Sequence, residues 1–276
     1  MAVRVDGYPM TLNVLRYEGE HRLKSAFGIS VAFALLAMLF VASAPLITTN
    51  IAASAQFKQV MAELPQPFIE AFGLQSMTSL GGLLAGEFYT LMWAVFFGLY
   101  LTYSAAGSVR GDIDEDRMDV LLANPVSRTT VLVETFLSLL VPILIASVIT
   151  PAAIYVGTLF IDPSIAVEEL IMVHVLSIPY LLCCGAIGLV LSVLLDDKDT
   201  AQNAAIGVLF ALYLFQSFIP VTDYGWLANI APMRYFDANE IMLEGTYDFT
   251  SAGILLAATL VLIAVSQVRF TRMDIQ

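Results

Sequence analysis

Six stretches of this chain contain no Asp, Glu, Lys or Arg: 25–57, 88–109, 135–161, 170–195, 200–222 and 249–268. Each is rich in Leu, Ile, Val, Ala and Phe and has room for the roughly 20 residues an α-helix needs to cross the hydrocarbon core of a bilayer. Strands of a membrane barrel would show short alternating segments, which these are not. Composition agrees with a lipid solvent. With 59% hydrophobic and 13% charged residues, there is too little polar surface to wrap a soluble domain of 276 residues. The expectation is an all-α membrane protein, a single membrane domain over 1–276. Its six transmembrane helices fall near 26–47, 86–107, 131–158, 171–194, 202–220 and 250–268, and 269–276 forms a tail.

Basic residues set the orientation. With the N-terminus cytoplasmic, ten of the 12 Lys and Arg residues lie inside, and only Lys58 and Arg234 lie outside. This excess predicts N and C termini in the cytoplasm of a multi-pass cell-membrane protein. The first apolar run is long enough to span and too long for a cleaved signal peptide. The net charge of −12 with three lysines reads as solvation suited to high salt, where screening makes self-repulsion tolerable. Cys183 and Cys184 are adjacent within the fourth span. Neighbouring helical side chains diverge, so they read as small packed residues and not as a disulfide.

The segments between the spans carry the functional signals. Residues 1–25 alternate apolar and charged side chains and predict an amphipathic helix in the inner interface before the chain turns into span one. The outside segment 48–85 has Pro65 and Pro67 as breakers, and Gly81, Gly82 and Gly86 suggest a flexible start to span two. The inside loop 108–130 reads SVRGDIDEDRMDVLLANPVSRTT. Asp112 is positioned to cap a helix with Glu115 three residues on. Met118, Leu121 and Leu122 then share a face, while Asp114, Glu115 and Asp119 lie off it. Pro125 stops the helix at Asn124, and Ser127 caps the next one. A short, mainly acidic cytoplasmic helix between two spans suits a soluble protein partner better than a lipid surface, which favours Lys and Arg. The turn Asp196, Asp197, Lys198, Asp199 reads equally as a second contact or as a solvated hairpin. The outside segment 221–249 predicts short or re-entrant helices. Its Asp237, Glu240 and Glu244 share a face that reads as solvated more readily than as a cation site.

Four ordered features resemble the permease subunits of ABC-2 type ABC transporters. They are the interfacial first helix, EDRMDVLLANPVSR at 115–128, DKDTAQNAA at 197–205, and APMRYF at 231–236 with Gly245 and the closing FTRMDI at 270–275. The sequence departs from many relatives at Asp116 and Arg117, where Gly-Thr is common, and at Glu134, where a basic residue is common. The resemblance implies a transport subunit of an ATP-driven exporter. Two copies, most simply a homodimer, would work with two ABC ATPase subunits that bind ATP and Mg. The 112–124 helix would be the coupling helix, with Asp112, Glu115, Asp119, Leu121, Leu122, Pro125 and Arg128 as ATPase-coupling residues. Asp197, Lys198 and Asp199 would form a second cytoplasmic contact.

Other classes fare less well. The chain has no G-x-x-x-x-G-K-[ST] run, so no nucleotide site of its own is expected. His21 and His174 are the only histidines, too few for a paired metal site, and no nucleophile stands beside a base. Catalytic residues, cofactors, metals and nucleic-acid partners are therefore not expected in this chain. A secondary transporter would want intramembrane carboxylates, and only Glu134 and His174 lie near span ends, where each reads as a satisfied polar residue. An ATP-independent secondary transporter and a membrane assembly or scaffold protein are the alternatives. The substrate is not written in the sequence.

Overall fold

The computed structural model describes residues 13–51, 54–65, 79–123, 126–161, 165–219 and 224–273. Every regular element among them is helical. Among the described residues, six helical runs are long and apolar enough to cross a membrane: Val14–Asn50, Leu80–Asp114, Arg128–Thr158, Val167–Leu194, Lys198–Phe218 and Phe249–Thr271. All six expected spans are present.

The first is α1, Asn13–Pro45, which runs on as π-helix to Ile51. Thirty-three residues extend about 50 Å, well beyond the roughly 30 Å core. Residues from Asn13 are helical as expected, but no break separates them from the span. The part of the expected interface helix before Asn13 lies outside the described residues. A short α2, Ala55–Glu63, is capped by Ser54 and ends just before Pro65.

Span two opens with α3, Leu80–Leu83, whose first turn is capped by the Ser79 hydroxyl accepting from Gly82 N–H. The glycines expected to loosen this region are thus held in a helix. A π-helical stretch, Leu84–Phe97, follows, and then α4, Gly98–Ala106. The helical path continues through Gly107 into α5, Ser108–Asp114, before α6, Arg117–Leu122.

Span three is split into α7, Arg128–Leu137, and α8, Leu140–Thr158. Pro142 explains the split. Its ring clashes with the carbonyl of Ser138, four residues back, and it has no N–H to give. Tight i to i−3 bonds fill the gap: Leu139 N–H to Phe136 O at 3.0 Å and Val141 N–H to Ser138 O at 3.2 Å. Pro151 leaves α8 uninterrupted.

Spans four to six are α9, Val167–Leu194; α10, Lys198–Phe218; and α12, Phe249–Thr271. Between α10 and α12 lie two 3-10 turns, Gly225–Ile230 and Pro232–Tyr235, and α11, Ala238–Glu244. The positive φ of 62° at Gly245 ends α11, a conformation glycine adopts without steric cost.

The central helix is α9, packed against α4 and α12 along its length, while α1 lies along α8. In lipid, close backbone approach through small residues replaces the hydrophobic drive between helices. A Cβ on Gly188 would collide with the Thr102 carbonyl oxygen, so α9 and α4 touch backbone to backbone there. Thr102 Oγ1 bonds to the Cys184 carbonyl at 3.0 Å in the same seam. Cys183 and Cys184 are buried and unbridged. A cluster of rings, among them Phe88, Tyr89, Trp93 and Phe97, is buried in span two, with Tyr89 and Trp93 against His174 of α9.

Both described chain ends lie at one end of the bundle. Glu134 Oε2 accepts the N–H groups of Val14 (3.1 Å) and Leu15 (3.0 Å), and Arg128 reaches the carbonyls of Phe270 and Met273. This termini end also carries α5, α6 and the 196–199 turn.

Candidate functional site

The loop motif folds into two short helices, and this corrects the expected single helix over 112–124. Asp112 does not cap it. It sits in the last turn of α5, 5% exposed, with its carboxylate on Arg117 at 2.8 Å. The residue before α6 is Asp116, which makes no side-chain cap and holds φ 56°, ψ 13°. Asp enters this left-handed region more readily than most residues, and the reversal folds α6 back against the bundle. Met118 is 1% exposed, and Leu121 and Leu122 are half-buried against the core. The apolar stripe read from the sequence therefore faces largely inward. Asp114, Glu115, Asp116 and Asp119 face out.

The 196–199 turn is bonded to this element. Lys198 donates its backbone N–H to Asp114 Oδ2 at 2.9 Å and its ammonium to Glu115 Oε1 at 2.8 Å. Gly111 allows it: a Cβ there would press on the Lys198 stem at 3.2 Å. Arg117 spans Asp112 and Glu115, and Arg110 pairs with Asp114 at 2.7 Å. The Arg110 N–H donates to Ser192 Oγ at 2.9 Å, adding a bond to α9. The hydrogen bond from Lys198, with Arg117 beside it, holds Glu115 below the usual carboxylate range. Asp197 caps α10, taking the Thr200 N–H at 2.7 Å and its hydroxyl at 2.6 Å, and these bonds lower its carboxyl likewise. Asp199 is exposed.

Three of the residues marked in the sequence, Asp112, Glu115 and Lys198, thus meet in one network. Arg110, Asp114 and Arg117 belong to it too, and none of them was among the expected coupling residues. The i, i+4 spacing of Arg110 and Asp114 was the available signal. Asp119 stands outside it on the exposed face of α6. Pro125 lies outside the described residues. Ser127 caps α7 as expected, accepting from Thr130 N–H at 3.0 Å. Arg128 is turned into the chain. It takes the Phe270 and Met273 carbonyls at 3.2 and 2.6 Å and lies over the Phe270 ring. This caps the last helix with a cation, where its dipole is negative. Arg128 and the Phe270 to Met273 stretch, remote in sequence, touch here.

The other polar residues marked near span ends are tied down to different degrees. Glu134 is 5% exposed and caps α1. His174 is 2% exposed; its Nδ1 pairs with the Leu170 carbonyl at 2.8 Å, while Nε2 has no partner among the described residues. At the far end, Asp237 is engaged as the cap of α11 and Asp248 as the cap of α12. No cluster of three or more His, Cys, Asp or Glu suited to a metal occurs among the described residues.

No curated protein matches the chain. Residues 12–275 match the family described as ABC-2 family transporter protein. That span takes in α5 and α6, the 196–199 turn, the Arg128 contact and all six apolar helices. The chain is a multi-pass membrane protein and belongs to the ABC-2 family of transporters.

Proposed function

We infer that the chain is the membrane-spanning subunit of an ATP-driven exporter, with α5 and α6 as the element that receives force. The observation that carries this is the bonded joint between that element and three spans. Helix α5 is the direct continuation of span two, Lys198 ties it to span five, and Arg110 ties it to Ser192 of span four. A push on α5 and α6 is delivered to the bundle without a loose segment in between.

In this reading the termini end faces the cytoplasm, in keeping with its basic residues. Two ATPase subunits, which hold the ATP and Mg, seat against the exposed carboxylates of two copies of this chain. Leu121, Leu122 and Met118 anchor α6 on its own bundle, and the partner meets Asp114, Glu115 and Asp119. Such a partner needs a basic groove, because like charges across an interface are costly. Closure of the ATPase pair favours one arrangement of the permease pair, and that differential affinity shifts the population between inward- and outward-facing states. The nearly charge-free spans suit amphiphilic or lipid-like cargo.

The experiment is co-purification of the tagged chain with its co-expressed ATPase, followed by substrate-stimulated ATP hydrolysis in proteoliposomes. Wild type should carry the ATPase, and Asp119→Arg should weaken that association at least tenfold. Glu20→Arg, an exposed charge reversal on α1, should leave it intact. Absence of any ATPase with the wild-type chain would refute the reading in favour of a scaffold or an ATP-independent transporter.

A further inference from the structure

A cavity of about 310 Å³ lies at the termini end, between the first turns of α1, the end of α4, α5 and the start of α10. Three cations line it, Arg22, Arg117 and Lys198, against two carboxylates, Glu18 and Asp112. The cations are not equally neutralised. Arg117 and Lys198 hold carboxylates at 2.8 Å. Arg22 has Glu18 only at 3.8 Å, and its side chain is 11% exposed. One guanidinium nitrogen donates to the Ser104 hydroxyl, while Nε is buried with no partner among the described residues. A buried donor left unmade is costly until an acceptor reaches it, and a guanidinium is best matched by an oxyanion.

The remaining wall fixes the kind of oxyanion. Ser104, Tyr100 and Tyr103 also line it, and its cations come from α1, α6 and α10. A carboxylate presents its two oxygens in one plane. A phosphate presents acceptors in several directions and so can meet donors from separate elements at once. Tyr100 and Tyr103 line the cavity from α4, and tyrosine is enriched where acyl chains meet headgroups.

We propose that this cavity binds a phosphate-bearing anion, presented by the adjoining leaflet as the headgroup of an anionic phospholipid. Binding joins α1 to the start of α10 through Arg22 and Lys198. It does not depend on the ATP-coupled reading, and its test uses no ATPase.

The full chain is purified in neutral detergent, stripped of lipid, and titrated in separate arms with phosphatidylglycerol, phosphatidylcholine and inorganic phosphate. Retained lipid is read by native mass spectrometry, and phosphate binding by the shift of the thermal midpoint. Wild type should retain phosphatidylglycerol over phosphatidylcholine. Arg22→Ala should weaken that retention at least tenfold, Ser104→Ala about threefold, and Arg16→Ala, an exposed arginine on the same helix, should change nothing. Size-exclusion profile and helicity check that each variant is folded, and Ser104→Ala carries the test if Arg22→Ala is not. A midpoint shift with inorganic phosphate that needs Arg22, without lipid retention, supports the anion site with a soluble source. Equal binding of lipid and phosphate by wild type and both variants, or no binding by wild type, overturns the proposal.

Discussion

Glu134 is a carboxylate at the start of a membrane span with two backbone N–H groups as its partners, at 3.1 and 3.0 Å. The first N–H groups of a helix have no partner within it, and its N-terminus carries positive potential. An anion there satisfies both demands. Glu134→Ala leaves two donors uncapped at a site only 5% exposed and should cost about 1–3 kcal/mol. Glu134→Gln keeps an acceptor without the charge and should cost less. Thermal unfolding in detergent, followed by helicity, checks the order wild type, Gln, Ala; equal midpoints for Ala and wild type would remove Glu134 from this role. The sequence marked Glu134 as a satisfied polar residue but could not say by what. Ser127 was read correctly because its cap acts three residues away. Glu134 and Arg128 act across more than 100 residues, and nothing local signals where such a side chain lands.

At the level of elements, the six spans were legible because a run of about 20 uncharged apolar residues has one stable fate in lipid. The coupling element was legible in place but not in shape. Its period marked Met118, Leu121 and Leu122 as one face, which holds. It did not show that helix continues through Gly107, or that Asp116 takes a left-handed conformation and so divides α5 from α6. The link to the 196–199 turn was also unreadable, since it depends on Lys198 crossing Gly111. That link has a testable pH signature. Glu115 has a lower pKa folded than unfolded, through Lys198 and then Arg117. A depressed carboxylate stabilises the fold above its unfolded pKa, roughly 4.3 for Glu, and the contribution fades as pH falls through the folded value. The thermal midpoints of wild type and Glu115→Gln should therefore differ between pH 6 and 8, and the gap should shrink as pH falls below about 4.3. A gap that keeps its full size down to acid unfolding would show that Glu115 acts through something other than its charge.

For the whole molecule, charge poses a problem that the fold divides in two. The chain carries 24 acids against 12 bases, and the spans push nearly all of them to the two ends. A hydrocarbon core of about 30 Å separates those ends, several times the Debye length of about 8 Å at physiological salt. Each end must solve its own repulsion. At the termini end Asp114, Glu115, Asp116, Asp119, Asp196, Asp197 and Asp199 crowd together, while Arg110, Arg117 and Lys198 answer only some of them. At the far end Asp237, Glu240, Glu244 and Asp248 gather near Arg234, and burial followed by these acidic neighbours raises Glu240. Added salt screens attraction and repulsion alike. Exposed pairs contribute little each, and the unmatched carboxylates outnumber them, so relief of repulsion wins. The thermal midpoint in a neutral detergent should rise from about 0.1 M to about 2 M KCl, where the Debye length falls from about 10 Å to below 3 Å. Sucrose at matched osmolality separates screening from solute exclusion, which also favours compact states. A midpoint that falls with KCl would mean that the Arg110, Arg117 and Lys198 pairs outweigh the repulsion around them.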